Sequence, residues 1–427
     1  MIRRTNMLSN KIHEIQKSAF FHDILHSFVS RGIYIGLGLL ITILITRNFT
    51  VEAYGEYSYL LAIAMTCFQF THLGFSSANT FYVVHNKRLL PFLVANTNAL
   101  VTLVGVVSLL ILLTLNTIYF HRDTNLIILT ALIVPFQVLS LLNKGLLVGI
   151  KKVMISNYLE LFSRIIYSII VVGIVLYYQS IELLLLAYLL QMILLSITSF
   201  FSLKRKTTRK LIPSLKLFSK TSNYSIRIYI TLFLSFLVLK IDVYFIENML
   251  GDQSLGIYSL GATLAANLIL IIQVVIPLLV PKLATIKDSI EKIRKLRNIV
   301  LYAFVLLFTI NLLFAFLGEW IIVFVFGNKY MDSVSIFKIL LLASSILSLE
   351  SILAQYFATI GKIKFLIYYW LITLSLNIIL NYLWIQKYGI EGAAWASLLS
   401  YLLMLILLVI KTIREVYFIR KRNENIV

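Results

Sequence analysis

The chain has 427 residues, of which 60% are hydrophobic and 13% are charged, and its mean hydropathy is +0.93. Soluble domains are closer to half apolar and a quarter charged, so this composition excludes an ordinary soluble protein. The net charge of +20 does not indicate nucleic-acid binding, because the basic residues lie between apolar segments and do not form one surface with stacking aromatic side chains.

Apolar segments follow one another along the chain, and each is long enough to cross a bilayer core of roughly 30 Å. Backbone groups inside a membrane must pair within their own segment, so we predict an all-α polytopic membrane protein with about twelve transmembrane helices. The predicted spans are 28–46, 57–75, 92–115, 126–142, 158–178, 183–203, 224–246, 255–280, 299–316, 336–358, 365–385 and 394–413.

The predicted domains follow from these spans. Residues 1–27 are expected to be a cytoplasmic amphipathic segment on the membrane surface. An N-lobe of six helices covers 28–203, a basic cytoplasmic linker covers 204–221, a C-lobe of six helices covers 222–413, and a basic cytoplasmic tail covers 414–427. His22 and His26 are four residues apart, but no third ligand accompanies them, so we predict no metal site.

Basic residues concentrate at both termini and in every second loop. The loops between those hold only Arg47, Arg122, Lys329 and Lys387. Cytoplasmic loops are enriched in Lys and Arg, and an odd number of spans would destroy this alternation. The pattern therefore predicts a multi-pass protein with both termini in the cytoplasm.

A short motif occurs twice, at Gly55–Ser58 and again 201 positions later at Gly256–Ser259. Ile181 and Glu182 before the sixth span match Ile390 and Glu391 before the twelfth. Six spans per copy give both copies the same orientation. The sequence thus predicts two six-helix lobes related by a pseudo-twofold axis along the membrane normal.

Further motifs occur in a fixed order over nearly the whole chain. They are Glu52–Ser58, Asp242 with Leu255–Ser259, Pro277–Leu283, Phe326–Tyr330, and Asn377 and Asn381 with Tyr388–Ala396. The set resembles the polysaccharide and O-antigen flippases, the Wzx-type members of the multidrug/oligosaccharidyl-lipid/polysaccharide exporter superfamily. One departure is that many relatives have a basic residue directly after the aspartate, whereas here Val243 follows Asp242 and Lys240 precedes it.

The resemblance implies a transporter, not an enzyme, with a central cavity that opens alternately to each side. The implied substrate is a polyprenyl-pyrophosphate-linked oligosaccharide, such as an O-antigen unit of lipopolysaccharide or a unit of another surface polysaccharide. It would be flipped from the cytoplasmic to the outer leaflet of a bacterial inner membrane. Membrane lipids and other polysaccharide-assembly proteins are the expected partners, and nucleic acid is not.

Two other functions were weighed against this one. A drug or organic-cation exporter of the same superfamily should have an acidic cavity. A membrane glycan polymerase or acyltransferase should have a large extracytoplasmic loop or a cluster of acids, histidines or metal ligands. The predicted outer loops are short and the six histidines are scattered, which favours a transporter.

Seven charged side chains inside the predicted spans are the most informative for function. They are Arg31, Glu160, Arg164, Arg227, Lys240, Asp242 and Glu350. Charge is costly in lipid, so each is expected to face a water-filled cavity or a partner. Glu160 and Arg164 are four residues apart with the acid first, which favours a structural pair within one helix, and a cavity role is the alternative.

The four cations in this set are candidates for a cavity that binds pyrophosphate: Arg31, Arg164, Arg227 and Lys240. Guanidinium groups match phosphate oxygens in a bidentate way. The alternative is that they extend to lipid headgroups. Asp242 and Glu350 are candidates for proton or Na⁺ coupling, although Glu350 can equally be a protonated, hydrogen-bonded carboxyl. No other cofactor is predicted.

Overall fold

The computed structural model describes residues 28–207, 210–284, 286, 289–359 and 363–424, and gives only the backbone at 227–228, 268–284, 289–290, 358–359, 363–364 and 418–424. The predicted amphipathic segment 1–27 lies outside the described residues. The described chain is helical throughout, with short turns and no strand. Its helices are α1 Phe28–Asn48, α2 Val51–Thr71, α3 Phe75–His85, α4 Leu90–Leu115, α5 Thr124–Gly149, α6 Val153–Tyr177, α7 Ile181–Lys204, α8 Leu215–Ala284, α9 Ser289–Phe326, α10 Ser333–Thr359 and α11 Ile363–Glu424.

The predicted number of membrane passes is confirmed in the described residues. Nine helices there are long and apolar enough to cross a membrane, and the pair α2–α3, bent by 47°, makes a tenth. The two longest of the nine helices, α8 and α11, each contain two passes, which brings the total to twelve. They change direction at Gly251 in α8 (φ 79°) and at Gly389 in α11 (φ 59°), left-handed conformations that glycine adopts without steric cost.

The described chain forms two compact units. One comprises the chain up to Leu44 together with Ala64–Arg227, and the other comprises Ile45–Ile63 together with the chain from Ile228 onwards. The lobe and linker boundaries drawn from the sequence stay a prediction. One detail differs, because α8 begins at Leu215, inside the predicted linker.

The first unit is held together at one end by an aliphatic cluster. Its buried members are Val83, Leu90, Leu93, Val94, Leu146, Leu147, Leu203 and Leu217. Next to it, Asn96 in α4 donates to the carbonyl of Ser214 at 3.1 Å and accepts from the amide of Ser214 at 2.8 Å. This two-way bond fixes the chain just before α8 to the same end of the unit.

In the second unit, the two copies of the repeated motif pack directly against each other. A Cβ atom added to Gly55 in α2 would lie 1.8 Å from the carbonyl oxygen of Asp252, and one added to Gly256 in α8 would lie 2.2 Å from the carbonyl oxygen of Val51. Positions 51 and 252 are 201 apart, as are positions 55 and 256. The two close approaches are therefore equivalent under the repeat, as a twofold axis requires. We call this contact the glycine seam.

In the second unit, the ends of α1 and α9 lie together, and a cationic side chain from each end bonds to backbone carbonyls of the other. Arg47 at the end of α1 donates from Nε to the carbonyl of Val325 at 2.7 Å and also bonds the carbonyl of Phe324. Lys329, just after α9, donates to the carbonyl of Phe49 at 2.6 Å. Cations at helix C-termini satisfy the last carbonyls and complement the helix dipole. Arg47 and Lys329 were predicted to lie on the same side of the membrane, and their proximity agrees with that.

The glycine seam leads to the first testable prediction. Changing Gly55 or Gly256 to alanine forces a methyl group onto a backbone carbonyl, which cannot move as a side-chain end can. We expect each variant to lose stability by about 1–3 kcal/mol or more, measured as a lower midpoint of thermal unfolding of the purified protein.

Gly173→Ala in α6 is the matched control, because nothing lies within 4 Å of its added Cβ. Alanine in an open helical position should be neutral or stabilising by about 0.4–1 kcal/mol. Seam variants that unfold at the same temperature as this control would contradict the close contact.

Candidate functional site

A cavity of about 250 Å³ lies within the first unit, lined by α1, α2, α5, α6 and α7. Arg31 and Tyr34 contribute from α1, Lys144 from α5 and Glu160 from α6. The remaining lining is apolar or carries small polar groups: Met65, Phe68, Gln137, Ser140, Leu141, Leu147, Ser156, Leu159, Met192, Leu195 and Ser199. The cavity therefore combines a mainly apolar wall with a few charged groups, as small-molecule sites do.

Glu160 pairs with a lysine on another helix. Its Oε1 lies 2.5 Å from Nζ of Lys144, and the two side chains are 21% and 39% exposed. The described residues show no bond between Glu160 and Arg164, so the predicted intrahelical pair is replaced by an interhelical one. Lys144 on α5 and Glu160 on α6 both line the cavity, which brings the lysine within reach of the carboxylate.

Arg164 is held by aromatic rings and not by a carboxylate. Its Cζ lies 4.9 Å from the ring centre of Tyr34 and 5.4 Å from that of Tyr167. One amino group occupies the space that a side chain at Gly38 would fill, since an added Cβ would lie 2.8 Å from it. Its Nε is buried and has no hydrogen-bond partner among the described residues.

Tyr34 brings two of the four predicted cations together. The Cζ of Arg31 lies 5.5 Å from the centre of the ring that also contacts Arg164. Cations over an aromatic face are stabilised by the ring quadrupole, and more strongly where water is scarce. Of the other two, Arg227 lies in α8 with its side chain outside the described residues, and Lys240 lies in the second unit.

Lys144 is a site residue that was not predicted from the sequence. The predicted span ends at residue 142 and leaves this lysine in a loop, whereas α5 continues to Gly149. Gly149 followed by the left-handed residue Lys151 (φ 62°) marks the true end. A glycine just beyond the last apolar turn is a typical helix stop, and this signal could have placed Lys144 inside the helix.

The cavity also offers unused hydrogen-bond acceptors. Gln137 donates to the hydroxyl of Tyr188 at 3.1 Å, while its Oε1 is buried and has no partner among the described residues. Asn143, which does not line the cavity, donates to the lining residue Ser199 at 3.1 Å, and its Oδ1 is likewise without a described partner. Buried acceptors of this kind normally find a donor, which a ligand or water can supply.

The second unit contains Asp242, one of the two candidate coupling carboxylates. It is 6% exposed, and its two oxygens accept bonds from the hydroxyl of Tyr258 and from the amide of Val243. Tyr258 belongs to the second copy of the repeated motif. Lys240 makes no hydrogen bond or ion pair with the described side chains and lies half-exposed on the same helix.

Glu350, the other candidate coupling carboxylate, is also buried. It is 1% exposed and accepts from the hydroxyl of Tyr369 at Oε1 and from the hydroxyl of Ser351 at Oε2, the latter at 3.3 Å. Both carboxylates are thus bonded to a buried tyrosine on a neighbouring helical segment. Glu350 has both oxygens engaged by side-chain hydroxyls, which fits the hydrogen-bonded alternative predicted for it.

The two halves of α11 carry a buried polar cluster near the motif residues. Asn377 donates to Ser400 at 3.2 Å and its own oxygen accepts from Asn381 at 3.1 Å. Asn381 Oδ1 is fully buried and has no described hydrogen-bond partner. Ser397 is also fully buried, and its hydroxyl lies within reach of the hydroxyls of Tyr258, the partner of Asp242, and of Tyr401.

Among the described residues, no group of three His, Cys, Asp or Glu side chains is arranged so that it could hold a metal ion. Asp242 supplies buried carboxylate oxygens, the kind of donor that hard cations prefer. A proton is the other species that this carboxylate can hold.

Comparison with solved structures shows the fold. The chain matches a multidrug resistance MATE transporter of the MOP superfamily in its inward-facing conformation with a TM-score of 0.73 and 13% identity, covering 92% of this chain and 99% of that one. It matches the lipid II flippase MurJ in an inward closed conformation with a TM-score of 0.72 and 16% identity, covering 91% and 87%. The predicted all-helical, two-lobed fold is confirmed.

Sequence comparisons identify the family. The chain is 24% identical over 332 residues to protein 1 of the Lsg locus of Haemophilus influenzae, a match that covers 75% of this chain and 80% of that protein. The family model described as polysaccharide biosynthesis protein matches residues 21–287, more than half of the sequence. The chain therefore belongs to the polysaccharide biosynthesis protein family.

Proposed function

We propose that this protein flips a polyprenyl-pyrophosphate-linked oligosaccharide, such as an O-antigen repeat unit, from the cytoplasmic to the outer leaflet of a bacterial inner membrane by alternating access. The coarser statement, a multi-pass membrane transporter and not an enzyme, follows from the family and the fold. The proposal for the substrate depends mainly on one observation, the excess of positive charge in and around the cavity of the first unit.

The charges of the cavity suit a pyrophosphate. Arg31, Lys144 and Glu160 line the cavity, and Arg164 contacts the ring of the lining residue Tyr34 without lining the cavity itself. Counting Arg164, the excess is two positive charges, which matches a diphosphate diester with about one negative charge on each phosphoryl group. A neutral loaded site costs less free energy to keep out of water than a charged one.

The size and polarity of the cavity limit what it holds. Its volume of about 250 Å³ is below the roughly 300–1,000 Å³ of sites that enclose a drug-sized ligand. We propose that the pyrophosphate and the edge of the first sugar occupy it, and that the rest of the glycan lies elsewhere. The free acceptor of the lining residue Gln137 suits a sugar hydroxyl.

A drug or organic-cation exporter is the weaker candidate. An organic cation needs a carboxylate or an open aromatic face, and here Glu160 is already neutralised by Lys144 while Tyr34 is covered by two guanidinium groups. Transport of an organic cation by the purified protein would favour this second function.

The proposed coupling site for a proton or Na⁺ is Asp242. Its buried carboxylate, bonded by a neutral tyrosine hydroxyl and a backbone amide and by no cation in the described residues, supports this choice. Glu350, whose oxygens both accept from hydroxyls, is proposed to be structural. The membrane potential alone can also drive the cycle, because net outward transport of about two negative charges per cycle releases roughly 4–5 kcal/mol at 100 mV, inside negative.

A prediction about the Lys144–Glu160 pair separates binding from structure. If Glu160 competes with the substrate for Lys144, Glu160→Gln should bind undecaprenyl diphosphate roughly two- to fivefold more tightly, the range of a half-exposed ion pair. Lys144→Ala should bind it roughly tenfold more weakly, through loss of a charge-assisted hydrogen bond. Binding is measured with the purified full-length protein in nanodiscs.

Lys411→Ala is the matched control for this pair. Lys411 contacts Glu415 at 3.6 Å in the second unit, so removing it alters an ion pair without touching the cavity, and affinity should stay unchanged. Weaker binding in both Glu160→Gln and Lys144→Ala would mean that the pair only supports the fold.

A second prediction concerns Arg31 in cells. Arg31→Ala should reduce glycan export at least tenfold while the amount of protein in the membrane stays the same, and Arg31→Lys should restore part of the export because lysine lacks the planar fork. Export is measured as surface glycan per cell. Full export by Arg31→Ala would indicate that the arginine contacts lipid headgroups instead.

A third prediction tests the driving force in proteoliposomes. An inside-negative potential without a pH or Na⁺ gradient should support transport, Asp242→Asn should abolish any stimulation by an added gradient, and Glu350→Gln should slow transport without abolishing it. The two carboxylates are matched, since each is buried and bonded to a tyrosine. Strict dependence on a gradient that disappears in Glu350→Gln would reverse the assignment.

A further inference from the structure

A second cavity lies in the other unit, at the start of α9, and differs in chemistry from the first. It has a volume of about 520 Å³ and is bounded by α9, α10 and the end of α11. Its walls are aliphatic except for one hydroxyl and two guanidinium groups. The lining residues are Ile293, Arg294, Leu296, Arg297, Val300, Leu353, Val409, Thr412, Ile413 and Val416. We call this cavity the α9 groove.

The helical spacing explains the shape of the groove. Positions 293, 296, 297 and 300 share one face of α9, and positions 409, 412, 413 and 416 share one face of α11. Further along, α9 exposes large apolar side chains such as Leu301, Tyr302 and Phe308 at 56%, 72% and 60%. Such side chains meet lipid in a membrane protein, so α9 faces the bilayer next to the groove.

The two arginines of the groove are available to a ligand. Arg294 and Arg297 are exposed, and neither has an ion pair with the described side chains. The nearest acidic groups on the same elements have partners: Glu291 contacts Lys295 at 2.9 Å and Glu415 contacts Lys411 at 3.6 Å. Two adjacent guanidinium groups at the end of an aliphatic groove therefore lack a described counter-charge.

We propose that the α9 groove binds an anionic phospholipid of the bilayer, with the phosphate on Arg294 and Arg297 and one acyl chain against Val300, Leu353 and Val409. Guanidinium groups bind phosphate oxygens in a bidentate way, and basic pockets between transmembrane helices are suited to lipid headgroups. A second copy of this chain fits less well, since 38 basic residues against 18 acidic ones would bring like charges together.

The experiment uses the full-length protein in nanodiscs that contain phosphatidylglycerol with a photoreactive group in its acyl chain. Crosslinked peptides are mapped by mass spectrometry. We expect crosslinks on the groove faces of α9 and α11, and competition by unlabelled phosphatidylglycerol that is at least tenfold stronger than by phosphatidylcholine. Equal competition by the two lipids would mean ordinary contact with bulk lipid and would overturn the proposal.

Two pairs of variants test the two parts of the lipid separately. Arg294→Ala/Arg297→Ala should reduce groove crosslinking roughly tenfold, whereas Lys292→Ala/Lys295→Ala removes the same charge from the same turns outside the groove and should change it less than twofold. Equal loss in both double variants would show a general charge effect and contradict a defined site.

Val300→Trp fills the groove and keeps both arginines, and Leu301→Trp adds the same bulk on the lipid-exposed face. Only the first should displace the acyl chain, and crosslinking in both variants at the original level would contradict the proposed chain position.

Undecaprenyl phosphate is added as a third competitor. If it competes better than phosphatidylglycerol, the groove binds a polyprenyl chain and the phospholipid assignment is wrong, while the cavity of the first unit remains tested by its own variants.

Discussion

The glycine seam is the contact on which the second unit depends. Two helices can approach until their backbones touch only where no side chain intervenes, and Gly55 and Gly256 provide that at equivalent positions of the repeat. In a membrane this matters more than in water, because lipid supplies no hydrophobic force to hold helices together and close packing must do so. The same motif supplies Tyr258, whose hydroxyl bonds Asp242, so the seam also positions a candidate coupling residue.

Four of the described intramembrane charges have different partners. Glu160 has a lysine, Arg164 has two aromatic rings, and Asp242 and Glu350 each have a tyrosine hydroxyl. A carboxylate bonded to a neutral hydroxyl keeps the freedom to change its protonation, whereas one paired with a lysine has less reason to do so. The distribution therefore separates groups suited to holding a proton or cation from groups suited to holding an anion.

The sequence predicted much of the fold because membrane helices are constrained by backbone hydrogen bonding and by charge bias. Twelve passes and the twofold relation at Gly55 and Gly256 follow from such local patterns. The ion pairs between helices could not be predicted in this way. Spacing along one helix favoured Glu160 with Arg164 and gave no information on Lys144, which comes from another helix. Ring contacts such as those of Tyr34 are likewise tertiary, and no sequence pattern marked them.

The proposed cavity charges bear on the return step of the cycle. An empty site whose surroundings have an excess of two positive charges is attracted to the negative cell interior, so the potential assists its inward return. A site loaded with a diphosphate is close to neutral and feels the potential little. Under this scheme the voltage acts mainly on the empty carrier, by about 2.3 kcal/mol per charge per 100 mV. Glu160 then has a quantitative role, because without it the empty site would carry three charges and the loaded site would keep one.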